Sequence, residues 1–212
     1  IVIGYIDGND ASSKGILVRG FFGWCFFAFR SESMIFHGYL HTDAYAGYSQ
    51  VDDVIHCCCM AHARRKFVEA LPENIEHPDE TIPGRVIKEM GRLFKIEQDC
   101  QEISAEERQK QREKEAKPIL LALFEYLEKE QGHVPQSSKL SKAINYCLSH
   151  RNELMNYLRD GDCSISNNLA ERSIRPFTIG RKNWVFSGSP AGAEASAAAY
   201  SLIETCIANK VD

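Results

Sequence analysis

The strongest constraint in this 212-residue sequence is a change of hydrophobic pattern around Cys59. Before it, short apolar and β-branched segments are separated by glycine and polar turns. Residues 1–6 stop at the turn cluster Asp7-Gly8-Asn9-Asp10, and residues 15–19, 24–29 and 35–42 follow in the same style. Runs of this length, bounded by turn formers, predict strands. No proline falls among them, so none is confined to a sheet edge on that ground. After Cys59 the apolar residues recur three and four apart. Ala61, Phe67, Val68 and Leu71 stand with basic residues between them, and Ile87, Met90, Leu93, Phe94 and Ile96, and then Ile119, Leu120, Leu123, Phe124 and Leu127, keep that spacing. That period predicts helices.

Local signals punctuate the helical part. The polar stretch 72–83 predicts a loop, and Ser104-Ala105-Glu106-Glu107 is a capping-box pattern. Pro118 should kink or restart its helix, and residues 138–150 and 152–159 predict two more. Ser166, Asn167 and Asn168 are helix-capping types placed before Leu169-Ala170-Glu171-Arg172, so a helix should open there and stop near Pro176. Ser187-Gly188-Ser189-Pro190 opens a final helix rich in Ala, Gly and Ser, which predicts close, buried packing. A sheet followed by helices makes the chain α/β, in three parts: 1–71, 72–160 and 161–212.

Composition narrows the function classes. With 44% hydrophobic and 25% charged residues the chain is an ordinary globular one. A net charge of −4 excludes a uniformly basic nucleic-acid binder, so any such contact needs local patches. The acid excess lies in the helical middle and reads as solvated helix faces. No apolar run is long enough to span a bilayer, so no membrane partner is expected. Ile1-Val2-Ile3 lacks the basic start of a signal peptide, and the missing initiator Met points to a fragment. The 8 cysteines do not follow a disulfide-scaffold spacing, which favours a reducing cytoplasm. Cys57-Cys58-Cys59 with His62 offers zinc-ligand types. A structural zinc site needs a second ligand pair far along the chain, and none exists.

Two carboxylates stand where chemistry is commonly built. Asp43 follows an apolar strand, and the carboxyl rim of a sheet is where α/β proteins place functional groups. Glu171 lies in the first turn of a predicted helix, where the dipole keeps a carboxylate ionised. Brought together, two such groups would bind Mg²⁺ or Mn²⁺, hard ions that prefer oxygen ligands. Basic residues form two groups. His62, Arg64, Arg65 and Lys66 crowd one helix; Arg172, Arg175, Arg181, Lys182, Asn183 and Trp184 crowd the region after Glu171. These residues either meet DNA phosphates, with Trp184 stacking on an unpaired base, or form a solvated basic face around a core tryptophan.

Longer motifs decide between those readings. Gly38-Tyr39-Leu40-His41-Thr42-Asp43-Ala44-Tyr45-Ala46-Gly47-Tyr48 resembles the second-aspartate motif of the insertion sequence 66 family of transposases. Cys59-Met60-Ala61-His62-Ala63-Arg64-Arg65-Lys66-Phe67 resembles that family's next block. Ser166-Asn167-Asn168-Leu169-Ala170-Glu171-Arg172-Ser173-Ile174-Arg175-Pro176-Phe177 resembles its glutamate block. The stretches 180–190 and 200–205 continue the likeness in the same order. The resemblance implies a ribonuclease-H-like core with an Asp-Asp-Glu triad and a divalent metal. It makes Asp43 the second carboxylate and Glu171 the third, with the helical stretch 72–160 inserted between them. It also implies DNA as partner and a homo-oligomer in the active complex.

The family's first catalytic aspartate lies in an Asp-Glu-Thr-Pro block that this chain lacks. Asp7 ends a strand and is the substitute available. The expected function is therefore metal-dependent cleavage and joining of DNA strands. The alternative is a catalytically inactive remnant that folds and binds DNA.

Overall fold

The computed structural model describes residues 2–6, 16–19, 38–42, 53–168 and 189–208, together with 171, 172, 175 and 179. Four strands form one sheet: β1 (Val2–Ile6), β2 (Ile16–Arg19), β3 (Gly38–Thr42) and β4 (Val54–Cys58), in the order β2-β1-β3-β4. β1 runs antiparallel to β2 and to β3, while β3 and β4 are parallel, with Gly38 opposite Val54 and Thr42 opposite Cys58. The strand expected at 24–29 lies outside the described residues. β4 was not expected. It opens after Asp53, whose φ of 59° turns the chain into the strand. Burial in the parallel pair is graded: Leu40, His41 and Thr42 on β3, and Cys57 and Cys58 on β4, are the buried ends.

From residue 72 to 160 every regular element is helical. α1 (Met60–Ala70) follows β4 directly and buries Met60, Ala63 and Phe67. The expected loop holds a short 3-10 turn, Pro78–Glu80, and ends sooner than predicted, because α2 (Ile82–Asp99) already opens at Ile82. The Thr81 hydroxyl caps it by accepting from the Gly84 N–H, with Pro83 in the first turn. α3 (Ala105–Gln111) begins on the capping box read from sequence: Ser104 accepts from the Glu107 N–H, and the Glu107 carboxylate accepts from the Ser104 N–H.

Pro118 restarts the helix rather than breaking it. The backbone widens into a π turn at Arg112–Ala116, and α4 (Lys117–Gln131) resumes with Pro118 in its first turn. α5 (Lys139–Ser149), α6 (Arg151–Met155) and a 3-10 turn at Asn156–Arg159 complete the helical part.

One hydrophobic core joins the sheet edge to these helices. It runs from Cys57, Cys58, Met60 and Phe67 through Val86, Met90 and Leu93 to Leu120, Phe124, Leu127, Ile144, Leu154 and Ile165. The last helix, α7 (Pro190–Ala208), corrects an expectation. Its small residues predicted burial, yet Leu202, Ile203 and Ile207 are more than half exposed. Small side chains permit a close neighbour but do not supply one.

Candidate functional site

β3 ends at Thr42, and the chain continues into Asp43, which lies outside the described residues. The neighbourhood of that strand end is fixed by backbone hydrogen bonds. The Cys59 N–H donates to the Thr42 carbonyl at 3.1 Å, and the Met60 N–H donates to the Ile165 carbonyl at 3.1 Å. The first turn of α1 is thereby tied to β3 on one side and to the segment leading to Glu171 on the other.

That segment is held by three successive residues. The Cys163 sulfur lies 3.8 Å from that of Cys57 on β4, the Ser164 carbonyl accepts from His41 Nε2 at 3.0 Å, and Ile165 makes the bond to Met60. His41 is buried on β3. Burial pushes its imidazole down to about 4, with neighbouring His62 acting in the same direction and the Ser164 carbonyl against it. The ring is therefore neutral at pH 7, with Nε2 as the protonated nitrogen that donates. Sequence reasoning missed this residue; the signal was a histidine inside an otherwise apolar strand, two positions before Asp43.

Past Ile165 the chain enters a helical turn in which the Glu171 N–H donates to the Asn167 carbonyl at 3.0 Å. The turn brings Glu171 to α1. His62 Nε2 stands 3.4 Å from Glu171 Oε1, with both side chains partly exposed. His62 Nδ1 is buried and has no hydrogen-bond partner among the described residues, so the ring faces Glu171 with its outer nitrogen. Asn167 is wholly buried and, among the described residues, neither of its amide atoms has a partner. His62, expected from sequence to contact DNA, touches the candidate carboxylate.

The other basic candidates divide. Arg65, Arg172 and Arg175 are exposed. Lys66 lies with its ammonium 4.6 Å from the centre of the Tyr146 ring on α5, turned toward the helical part. Arg64 is half-buried on α1, and its Nε is buried without a partner among the described residues. Arg181, Lys182, Asn183 and Trp184 lie outside the described residues, as does Asp7.

The three adjacent cysteines do not converge. The Cys57 thiol is pushed up by the Cys163 thiol beside it and by burial. Burial also raises the Cys59 thiol, against the backbone amides of Asn167, His62 and Ala61 that surround it. Among the described residues, no three His, Cys, Asp or Glu side chains are grouped to hold a metal ion. Among them, too, no helix is long and apolar enough to cross a membrane.

Comparison with known proteins gives this geometry a context. The model of the Transposase IS66 family matches residues 28–195. The chain is 33% identical over 190 residues to the uncharacterized protein y4hP of Sinorhizobium fredii (strain NBRC 101917 / NGR234), covering 82% of this chain and 34% of that protein. It is 35% identical over 187 residues to y4qI of the same strain, covering 84% of this chain and 34% of that protein. The chain thus spans about a third of the length of these relatives. No solved structure matches it. The extent of the family match and the order of the motifs lead to one conclusion: the chain belongs to the IS66 family of transposases.

Proposed function

We propose that this chain is the catalytic part of a DNA transposase, built on a ribonuclease-H-like core whose Asp43 and Glu171 hold a divalent metal at the scissile phosphate. The observation that carries this reading is the convergence at the start of α1. Thr42, the residue before Asp43, is hydrogen-bonded to Cys59, and His62, one turn further on, touches Glu171. The parallel pair β3–β4, followed directly by a helix, supports the same core. The intervening helical residues 72–160 correspond to the insertion that the family places between its second and third acids.

The residues fit the metal. Carboxylates are the hard oxygen donors that Mg²⁺ and Mn²⁺ prefer. Glu171 is partly open to solvent, and among the described residues only His62 touches its carboxylate, leaving lone pairs for a cation. When bound, the metal supplies Lewis-acid stabilisation of the attacked phosphate and a more acidic nucleophilic water or 3′-hydroxyl. His62 orients the Glu171 carboxylate. The tethers at Cys163, Ser164 and Ile165 set where the glutamate turn begins. Arg65, Arg172 and Arg175 are exposed and carry charge suited to DNA phosphates, and by the family resemblance Arg181, Lys182, Asn183 and Trp184 join them in contacting DNA.

Calorimetric titration with Mn²⁺ tests the shared site. The parent chain should bind weakly, because two carboxylates leave most of the ion's shell to water. Asp43→Ala and Glu171→Ala should each abolish the signal. Equal binding by the parent and both variants would overturn the reading. On DNA, removing a phosphate-contacting charge among Arg65, Arg181 and Lys182 should reduce the slope of affinity against salt by about one. DNA binding without any cleavage would assign the chain to the inactive alternative.

A further inference from the structure

Beside the Glu171–His62 contact, a cavity of about 340 Å³ opens between α1 and α2, lined by Ala61, Arg64, Gly91, Phe94 and Asn168. Its volume is at the lower end of small-ligand sites. Two of its residues adjoin the candidate site: Ala61 precedes His62, and Asn168 lies one helical turn before Glu171.

Gly91 is the feature without an internal explanation. It lies within α2, where glycine weakens a helix relative to alanine. Gly84 and Gly161 are required by packing, since a Cβ on either would meet a backbone oxygen at 1.8 Å. A Cβ on Gly91 would meet nothing within 4 Å among the described residues. Among the described residues, no neighbour needs a glycine there. What its missing side chain preserves is the depth of the cavity.

The opposite wall is equally specific. Among the described residues, the buried Arg64 Nε has no hydrogen-bond partner and the guanidinium makes no ion pair. A buried donor of this kind is costly until an acceptor arrives, and guanidinium geometry suits a phosphate. Phe94 adds a half-buried aromatic surface, and the exposed Asn168 side chain offers one amide donor and one acceptor.

We infer that this cavity receives one unpaired nucleotide of the DNA substrate. The base stacks on Phe94, its edge meets Asn168, and its phosphate meets Arg64. A base inside a duplex has both faces stacked on neighbours, so only an unpaired one can present a face to Phe94. The inference rests on the DNA reading proposed above and names the part of the substrate that the site takes.

The test uses the whole chain and two short duplexes, one flush-ended and one with a single-stranded overhang carrying 2-aminopurine. Anisotropy reports affinity and 2-aminopurine fluorescence reports stacking. The overhang duplex should bind about tenfold more tightly than the flush one, the equivalent of one base stack, with quenched fluorescence. Gly91→Leu fills the cavity with a better helix former. It should remove both the preference and the quenching while keeping flush-duplex affinity, and Phe94→Leu should remove the quenching. A folded Gly91→Leu variant that retains both effects would overturn the proposal.

Equal parent affinity for the two duplexes without quenching would also overturn it and leave the DNA reading standing. Failure to bind either duplex would remove the DNA reading and the proposal together. Competition by a free deoxynucleoside monophosphate at concentrations matching the overhang duplex would make a free nucleotide the occupant, and so overturn the assignment to a DNA strand.

Discussion

Arg112 is a buried cation whose neighbours are arranged around it. Its Nε and Nη2 donate to the two Glu97 oxygens at 2.9 and 2.6 Å, and its Nη1 donates to the carbonyls of Tyr157 and Asp160 at 2.9 and 2.5 Å. The guanidinium also lies 5.1 Å from the centre of the Tyr157 ring. Removing one partner of a buried pair leaves the other charge unanswered. Arg112→Met should therefore cost about 3–5 kcal/mol in urea unfolding. A loss below about 1 kcal/mol would show that Glu97 finds water or another partner.

Gly161 makes a second demand on the same region, because an added Cβ would sit 1.8 Å from the Ala105 carbonyl oxygen. Gly161→Ala should destabilise by about 1–3 kcal/mol. It should also weaken Mn²⁺ binding, since the displaced segment leads to Cys163, Ser164 and Ile165.

Neither role was legible in the sequence. Arg112 sits in the run Arg112-Glu113-Lys114-Glu115, which reads as a solvated face, and only the π turn rotates it inward. The acid–base character of His62 and Glu171 could be read, but their contact could not, since helical period does not say which distant turn a side chain will meet.

At the scale of elements, the helices were legible because their signals are local. A capping box, a proline in the first turn and apolar residues at helical spacing each act within a few residues. Ser104→Ala removes one such signal, the cap of α3, and should cost about 1 kcal/mol, read as a lowered urea midpoint. An unchanged midpoint would mean that Arg108, whose guanidinium bonds the Cys100 and Gly161 carbonyls, already holds the start of that helix. β4 was not legible for the opposite reason. Val54-Ile55-His56-Cys57-Cys58 shows no alternation, because its burial is graded along the strand and both final residues are buried, and its cysteines drew attention as metal ligands.

Those thiols have a structural use instead, and it carries a chemical signature. Cys57, Cys58, Cys59, Cys100, Cys147 and Cys163 are buried, whereas Cys206 on α7 is exposed. Burial pushes the Cys147 thiol up to about 12. Since the thiolate is the reactive form, brief iodoacetamide treatment near pH 8 should modify Cys206 and spare these six buried thiols, as read by peptide mass spectrometry. Rapid labelling of Cys57 or Cys163 would contradict the packing of β4 against the segment before Glu171.

Over the whole molecule, the helical stretch 72–160 has the sequence of a separate module but not the contacts of one. Its core is continuous with that of β4 and α1. The Asn156 side chain donates to the His56 carbonyl at 2.9 Å across 100 residues of chain, and Lys66 of α1 lies over Tyr146 of α5. An insertion with its own core could unfold while the sheet edge persisted. Here the unfolding of α4 or α5 would strip apolar cover from Cys57, Cys58 and Phe67, so the two parts lose their stabilisation together. Residues 53–168 should therefore unfold in one cooperative transition, with coincident urea curves from far-ultraviolet circular dichroism and from tyrosine fluorescence. Amides of β4, α1, α4 and α5 should share one limiting opening free energy in native-state hydrogen exchange. If the α4 and α5 amides opened well below those of β4, the insertion would be an independent unit and the common core would contribute little. The coupling matters for the site because His62 lies near the start of this unit and Glu171 just past its end. Their 3.4 Å contact persists only while the helices between them in sequence remain folded.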